Sequence, residues 1–291
     1  MVKKLSELYL EARKAFSQSE DKNTASLLAR NLLCHATGKS QQQLIADMEH
    51  YGSQAVCERM EDAVQRILSG EPLAYVLGEW DFYGMTLHVN KNVLIPRDDT
   101  CAVTEMAIKK ALFLDASPRI LDLCTGSGCI GLAIAQRVKD ARVTLADISK
   151  EAMAVAKKNI IAQKLSGRVT CVAADALQAP PAFLGKFDMI VSNPPYITSE
   201  EMTELPDSVK NFEPHLALHG GEDGLEFYRS ISEKYANALK PGGYLCFEFG
   251  MGQGDAVCEI LNLNGYTILE RSRDYNDRER AVLAQLARKD V

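Results

Sequence analysis

Several features that would assign this chain of 291 residues to a special class of protein are missing from its sequence. No stretch approaches the ~18 consecutive apolar residues of a membrane helix, and the start, MVKKLSELYLEARKAF, alternates charge with hydrophobe instead of forming an apolar signal core. Internal repeats and low-complexity segments are also lacking. With 46% hydrophobic and 25% charged residues, the composition is typical of an ordinary globular protein. We therefore expect a cytoplasmic chain with no membrane contact.

Basic residues are too few for binding that rests on charge alone. Lys and Arg number 33 against 39 Asp and Glu, which gives a net charge of -6. A protein that coats nucleic acid by charge is thereby excluded, although a local basic groove is not. The eight cysteines include no C-x-x-C pair, and several lie inside apolar runs. We interpret them as small buried hydrophobes and expect neither a disulfide framework nor a metal site.

The chain changes character twice along its length. Residues 1–71 are predicted to be helical, because apolar residues such as Leu5, Leu8, Ala12 and Phe16 keep a three-to-four spacing. Gly70 and Pro72 end this part, and a period of two from 75 to 89 indicates a β-hairpin. We therefore predict a helical N-terminal domain over 1–71, a hairpin linker over 72–95 and a catalytic domain over 96–291.

Strands and helices alternate in this last part, which predicts an α/β fold. The first strands are continuous apolar runs, as expected for a parallel, doubly wound sheet that is buried on both faces. The last two strands leave no room for a helix between them, so we expect an antiparallel hairpin at one edge of the sheet. The predicted strands are 119–124, 142–147, 169–175, 187–193, 243–249, 266–271 and 280–286.

A glycine-rich loop follows the first of these strands. Gly126, Gly128 and Gly131 form the pattern G-x-G-x-x-G, in which glycines permit positive φ and close approach of a ligand to the backbone. Asp147 closes the next strand, at the place where a carboxylate accepts the hydroxyls of an adenosine ribose. The spacing predicts a nucleoside-containing ligand, either NAD or S-adenosylmethionine. A simpler interpretation of Asp147 is a helix cap before Ser149.

A second motif, Asn193-Pro194-Pro195-Tyr196, follows the buried strand 187–192. The two prolines fix φ and remove two backbone donors, so the Asn193 oxygen and the Pro194 carbonyl form a rigid set of acceptors. Such acceptors suit a planar NH2 group, either an amide or an exocyclic amine, and Tyr196 can stack on its flat face. The motif indicates attack of that nitrogen on a sulfonium methyl group. The alternative is a strand terminator with a capping Asn.

With these motifs the sequence resembles the HemK-type protein-(glutamine-N5) methyltransferases, which modify class-1 peptide chain release factors. The resemblance covers nearly the whole chain. It rests on GEPLAYVLG (70–78), LIPR (94–97), DLCTGSG (122–128), NPPYI (193–197), EPHLAL (213–218), GGEDGL (220–225) and DYNDRER (274–280).

The resemblance implies a class I S-adenosylmethionine-dependent methyltransferase fold, Rossmann-like, with a mostly parallel seven-stranded sheet. It implies that the N-terminal domain recognises the release factor. The acidic charge balance and the near-neutral N-terminal part argue against direct binding of nucleic acid, although a groove formed by distant residues stays open. Transferred position by position, it implies that the methionine part of the cofactor, S-adenosyl-L-methionine, binds at Asp122, Cys124, Thr125, Gly126, Ser127 and Gly128. The ribose then binds Asp147, and the adenine lies near Asp175, for which a helix cap is the alternative.

The same transfer implies three catalytic residues: Asn193 and Pro194, which bind the substrate amide, and Tyr196, which stacks on it. It also implies that Asn193 contacts the cofactor and that Pro195 and Glu213 form part of the substrate wall. A surface turn acid is the alternative for Glu213. Two other functions also stay open. One is methylation of another protein's glutamine, such as that of a ribosomal protein, or of an adenine amine. The other is a nucleotide-binding module or NAD-dependent dehydrogenase, although the five histidines are scattered.

The sequence departs from the family pattern at two places. The segment Ile95-Pro96-Arg97-Asp98-Asp99-Thr100-Cys101 has Asp98 and Cys101 where the family has proline and an acid, which weakens any role for this segment. Cys124 replaces a glycine, so it must adopt a backbone conformation that an L-residue tolerates. Its side chain is small, and we expect cofactor binding to survive.

Overall fold

The structure is a computed structural model that describes residues 2–114 and 116–287, and the chain divides into two compact units. One unit comprises Met1–Gly78 with Asp207–Phe212, and the other comprises Glu79–Pro206 with Glu213–Val291. Each has a buried apolar core of its own. Within the described ranges, no helix is both long enough and apolar enough to cross a membrane.

The first unit is helical. Its elements are α1 (Leu5–Phe16), α2 (Lys22–Thr37), α3 (Gln41–Asp47), α4 (Gln54–Leu68), α5 (Leu73–Leu77) and the single turn Asp207–Lys210. Asp21, Ser40 and Ser53 accept N–H groups in the first turns of α2, α3 and α4, which satisfies donors that have no partner within the helix. The predicted apolar stripe of α1 is buried, so its spacing marks the core face.

The two units differ from the predicted domain boundaries in two places. Pro72 precedes α5, and Val76 packs in the helical core, so residues 73–77 are helical and not part of a hairpin. Proline is compatible with a helix start, and Gly78 ends the helix with a φ of +73°. The segment Asp207–Phe212 groups with the helical unit, although it lies within the range predicted as catalytic domain. The functional assignment of the domains stays a prediction.

The second unit contains the predicted α/β fold. It begins with the hairpin β1 (Glu79–Phe82) and β2 (Met85–His88), followed by α6 (Cys101–Ala111). The alternating part is β3 (Arg119–Leu123), α7 (Cys129–Arg137), β4 (Arg142–Asp147), α8 (Lys150–Ala162), β5 (Val169–Ala173) and β6 (Phe187–Ser192). After the short helix Glu201–Glu204 come α9 (Glu226–Lys234), β7 (Leu239–Glu248), α10 (Gly254–Leu263), β8 (Tyr266–Arg273) and β9 (Glu279–Leu286).

The seven strands form one sheet in the order β5-β4-β3-β6-β7-β9-β8. Strands β3 to β7 are parallel, whereas β9 is antiparallel to both β7 and β8. This confirms the predicted fold, a mostly parallel seven-stranded sheet with an antiparallel edge hairpin. Buried side chains form separate apolar clusters that include Leu132 and Val103 in one and Tyr228 and Phe247 in the other, which explains why the central strands are apolar throughout.

The order of the strands reverses between β3 and β6. From β3 the chain adds β4 and β5 toward one edge of the sheet, and from β6 it adds the later strands toward the other edge. In open α/β sheets, ligands bind beyond the carboxyl ends of the strands at such a point. Four strands, β3, β5, β6 and β7, end one or two residues earlier than predicted, and Cys124, Asp175 and Asn193 therefore lie in the loops after the first three of them. These loops form the candidate site.

Candidate active site

The glycine loop between β3 and α7 has a backbone that requires small residues. Gly126 and Gly128 have φ of +54° and +87°, and open space surrounds the position of a β-carbon on Gly126. A β-carbon on Gly131 would lie 2.3 Å from Leu145 Cδ2. Positive φ and close approach therefore explain these glycines, as the sequence motif predicted. Cys124 also has a positive φ, +60°, in the left-handed region that L-residues enter at a cost.

Asp122 and Asn159 hold this loop from behind. The Asp122 Oδ2 accepts hydrogen bonds from Thr125 Oγ1 at 2.6 Å and from Gly131 N at 2.9 Å. Its Oδ1 is buried without a partner, and burial raises the pKa of Asp122 to about 7 against those two bonds. The Asn159 Nδ2 on α8 donates to Ser127 O at 2.9 Å. The loop is thus fixed on both sides before any ligand binds.

Asp147 lies at the carboxyl end of β4 and its carboxylate is oriented by backbone donors. Oδ2 accepts the N–H of Gly126 and Oδ1 that of Ser149, both at 2.9 Å. The cap of α8 is Ser149, whose hydroxyl accepts the N–H of Ala152, so Asp147 is not the helix cap. Burial raises the pKa of Asp147, opposed by these N–H donors. Each carboxylate oxygen keeps a lone pair for a further donor.

Asp175 follows β5 and forms a local turn. Its Oδ1 accepts the N–H of Leu177 at 2.8 Å, and its carbonyl accepts the N–H of Gln178 at 3.1 Å. No helix begins directly after it, so the side chain supports an Asx turn and not a helix cap. The turn places Asp175 beside Ala176 and Leu177 on the wall of the same cavity as Asp147.

One cavity collects most of the predicted site residues. The cavity has a volume of about 1080 Å³, part of which is open to solvent. The predicted residues on its walls are Cys124, Thr125, Gly126, Ser127, Asp147, Asp175, Asn193 and Pro195. Asp122, Gly128, Pro194, Tyr196 and Glu213 are not on the walls. Asp122 lies beneath the loop, and Gly128 precedes α7.

The walls fit S-adenosylmethionine. The Asp147 carboxylate suits the two hydroxyls of a ribose, and Ile148, Ala176 and Leu177 offer apolar surface to an adenine ring. The open space at Gly126 lets a ligand approach the loop backbone. In the described part of the chain, no three His, Cys, Asp or Glu side chains are grouped to hold a metal ion.

The Asn193-Pro194-Pro195-Tyr196 segment is held by neighbouring backbone. Ile197 N donates to Leu218 O and Gly220 N to Ile197 O, at 2.9 and 2.8 Å. A β-carbon on Gly220 would lie 2.6 Å from Tyr196 Cα, which explains the glycine at this position of the 220–225 motif. The Asn193 Nδ2 donates to Thr100 Oγ1 at 3.3 Å. Burial raises the pKa of Tyr196, and its ring packs against the apolar cluster around Tyr228.

Glu213 is buried, 4% exposed, and is not a surface turn acid. It accepts the N–H of Ile95 at 3.1 Å and pairs with Arg97. Its contacts therefore hold the 94–97 segment, whose Leu94, Pro96 and Arg97 line the cavity. Glu213 supports the wall from behind and does not itself face the cavity.

A polar cluster behind Asn193 was not predicted from the sequence. Glu248, at the end of β7, is 2% exposed, and its Oε2 is buried without a partner. Arg280 pairs with Asp99 and Asp274, each at 3.0 Å. One signal was present in the sequence. Glu248 is the lone charge in the apolar run Leu245–Phe249, and a charged residue is rarely buried without a specific reason.

Comparison with known proteins agrees with this geometry. The chain matches the family models described as Methyltransferase small domain, over residues 103–211, and PrmC N-terminal domain, over residues 7–78. It is 37% identical to a release factor glutamine methyltransferase of Clostridium acetobutylicum, over 93% of this chain and 95% of the relative. Identity is 40% to one of Chlorobaculum tepidum, over 92% of each.

A solved methyltransferase from Pyrococcus furiosus shares the fold. Its TM-score is 0.51 at 18% identity, over 78% of this chain and 99% of that one. The relatives match nearly end to end at well above 30% identity, and the resemblance read from the motifs is confirmed. This chain belongs to the release factor glutamine methyltransferase family.

Proposed function

We propose that the chain transfers a methyl group from S-adenosylmethionine to the side-chain amide nitrogen, N5, of the glutamine in the Gly-Gly-Gln motif of class-1 peptide chain release factors. The relatives that match over nearly their whole length are named for this activity. S-adenosylmethionine, when bound, supplies an electrophilic methyl group on a sulfonium sulfur.

One observation carries the proposal: Asn193 and Asp147 line the same cavity. Asp147 has the acceptors that a ribose needs, and Asn193 has the acceptor that an amide N–H needs. Methyl transfer requires donor and acceptor in line and in contact. A cavity that has Asp147 to hold the methyl donor and Asn193 to hold the amide can bring the two into contact.

The chain's own residues then act on the amide. An amide nitrogen is a poor nucleophile because its lone pair is delocalised into the carbonyl. We assign the Asn193 Oδ1, which is on the cavity wall, as the acceptor of one of its N–H groups, which orients the nitrogen toward the methyl group. We assign the second N–H group to the carbonyl of Pro194, the next residue along the chain, although it is not itself on that wall. Tyr196 is also off the wall and packs against the apolar cluster around Tyr228, so we assign its ring to support this segment and not to stack on the amide. Burial keeps this phenol neutral by raising its pKa.

Methyl transfer to the amide nitrogen does not require a general base on the enzyme. The nitrogen forms a bond to the methyl carbon while the carbon–sulfur bond breaks, and sulfur keeps that electron pair. The nitrogen is then cationic and strongly acidic, so its extra proton passes to water. Positioning and fixed dipoles are the enzyme's contribution.

We propose that the helical unit contributes to binding of the release factor. It exposes large apolar side chains, among them Leu27, Ile45 and Tyr51, at 50%, 75% and 68%. Such side chains are suited to contact with a protein surface.

Mass spectrometry of a purified release factor, incubated with the full chain and S-adenosylmethionine, tests the function. We expect a gain of about 14 Da, the mass of one CH2, on the Gly-Gly-Gln glutamine. A release factor with that glutamine replaced by alanine is the matched control. No gain on the wild-type factor, or an equal gain on the control, would overturn the proposal.

A further inference from the structure

We infer that Glu248 is a positioning residue that acts through Thr100 to fix which end of the Asn193 side-chain amide faces the cavity. The inference rests on the proposed function, in which the Asn193 oxygen accepts an N–H of the substrate amide. It concerns Thr100, which lines the cavity, and the buried Glu248, which does not, and neither takes part in the methyl-transfer step itself.

The backbone brings the three side chains together. Strands β6 and β7 pair with Ser192 opposite Phe247, so the next residues along each strand, Asn193 and Glu248, are neighbours. Thr100 reaches the same point from the turn before α6 and is 2% exposed. Asn193 Nδ2 donates to Thr100 Oγ1 at 3.3 Å, and Thr100 and Asn193 each lower the pKa of the neighbouring Glu248 carboxyl group.

Hydrogen-bond directions then follow from the chemistry of the groups. An ionised carboxylate only accepts, so we infer that the Thr100 hydroxyl turns its proton toward Glu248, whose Oε2 has no other partner, and uses a lone pair to accept from Asn193. The amide end that meets Thr100 must therefore be the NH2 end. The Asn193 oxygen is left for the cavity, where an amide substrate presents donors.

The opposite orientation would be unproductive. With Asn193 flipped, its NH2 group would face the N–H groups of the substrate, and its oxygen would face the oxygens of Thr100 and Glu248. Donors would then face donors and acceptors would face acceptors. In a buried site, polar groups left unpaired in this way are costly. Glu248 excludes this arrangement only while it is ionised, because a protonated carboxyl group could itself donate to the oxygen of a flipped Asn193 or of Thr100.

The surroundings of Glu248 make its charge sensitive to pH. Burial raises the pKa of Glu248 to about 7, while Thr100, Arg280 and Asn193 lower it and Asp99 raises it. The groups that face Glu248 from all packed elements are Asp99, Cys101, Cys129, Tyr196, Tyr228 and Arg280. Burial raises the pKa of Cys101 to about 11 and that of Cys129 to about 12, so these thiols stay neutral where Glu248 titrates.

Kinetics on the full chain test the role. We expect Glu248→Gln and Thr100→Val each to lower kcat for release factor methylation about 10- to 100-fold. Affinity for S-adenosylhomocysteine and the thermal midpoint should stay near the wild-type values. Thr100→Ser keeps the hydroxyl and should restore kcat to within about threefold. In an Asn193→Ala background, Glu248→Gln should add no further loss under single-turnover conditions.

Either of two outcomes would overturn the inference. One is wild-type kcat in both Glu248→Gln and Thr100→Val. The other is an equal loss of kcat, cofactor affinity and thermal stability, because that pattern describes a general structural role.

A measurement without substrate separates this inference from the proposed function. In protein labelled with ¹⁵N at asparagine, the Asn193 side-chain amide signal, assigned by its loss in Asn193→Ala, should shift with a midpoint near pH 7. Glu248→Gln should abolish that shift. A shift that persists in Glu248→Gln overturns the inference. If the titration is as expected while no release factor is methylated, the proposed function fails and the positioning role stands.

Discussion

The Asp147 carboxylate accepts the backbone N–H of Gly126 at 2.9 Å, so the acid at the end of β4 and the glycine loop after β3 form one rigid wall. The same carboxylate accepts from Ser149 through its other oxygen. Two backbone donors therefore aim it, and no side chain has to move before a ribose binds. Preorganisation of this kind lowers the entropy lost on binding.

Removal of this carboxylate should weaken cofactor binding. We expect Asp147→Ala to reduce the affinity for S-adenosylhomocysteine about 10- to 100-fold, because hydrogen bonds to a charged group contribute about 1.5–3 kcal/mol. Isothermal titration calorimetry measures the change. Asp255→Ala, at an exposed acid in α10, is the matched control and should bind as the wild type does. Equal affinity of the wild type and Asp147→Ala would contradict the assignment.

The close packing of Gly131 predicts a loss of stability on substitution. A β-carbon there would lie 2.3 Å from Leu145 Cδ2 and 2.9 Å from Asp122 Oδ2. In a helix, alanine stabilises the folded state by about 1 kcal/mol relative to glycine, whereas an overpacked side chain destabilises it by about 1–3 kcal/mol. We expect Gly131→Ala to lower the free energy of unfolding in urea by up to about 2 kcal/mol, the cost of overpacking less the gain in helix propensity.

Gly167→Ala is the control for this comparison. No atom lies within 4 Å of the position of its β-carbon, and its φ is not positive. Its free energy of unfolding should therefore match or slightly exceed that of the wild type. If Gly131→Ala proved as stable as Gly167→Ala, the loop would be able to relax and close packing would not explain the glycine.

The left-handed conformation of Cys124 predicts a difference between two substitutions. With a φ of +60°, any L-residue at this position is strained and glycine is not. Alanine and glycine both remove the thiol, so their comparison isolates the backbone cost. We expect Cys124→Gly to have a free energy of unfolding about 1 kcal/mol above that of Cys124→Ala. The reverse order would show that the backbone here is not left-handed.

Sequence reasoning located those site residues that are local to a strand end. Asp147 and Asn193 each follow an apolar strand, and parallel strands bring their carboxyl ends to one edge of the sheet. The order of strands within the sheet was not needed for this. Motif and periodicity were therefore sufficient for the fold and for the part of the cavity wall that the strand ends supply.

Residues that meet only through tertiary packing escaped the same reasoning. Thr100 and Glu248 are 148 residues apart in sequence and meet only because β7 pairs with β6 in one particular register. Glu213 resembles a turn acid in sequence, yet it is buried against the backbone of Ile95. The hairpin was predicted to begin too early because Pro72 was interpreted as a helix end when it precedes a further helix turn. Such pairings depend on tertiary packing, which local patterns do not encode.

The pKa of Asp122 leads to a prediction about stability and pH. Burial raises that pKa to about 7 in the folded chain, whereas an unfolded aspartate has a pKa of about 3.9. Between about pH 4 and pH 7 the folded state therefore binds more protons than the unfolded state. The free energy of unfolding should fall as pH rises through this window. The asparagine of Asp122→Asn stays neutral and keeps an oxygen that can accept from Thr125 and Gly131. The variant should therefore lack the part of the pH dependence of the free energy of unfolding that Asp122 causes.

Urea unfolding of both proteins at about pH 5 and about pH 8 measures the effect. The free energy of unfolding of Asp122→Asn relative to wild type should rise between the two pH values by on the order of 2 kcal/mol. In the variant, the free energy of unfolding should still fall somewhat as pH rises, because burial also raises the pKa of Glu248 to about 7. Asp188→Asn, at an acid paired with Lys240 outside the cavity, is the control and should not reproduce this rise. Parallel pH dependences of Asp122→Asn and wild type would mean that Asp122 is already ionised at pH 5, stabilised by Thr125 and Gly131 despite its burial.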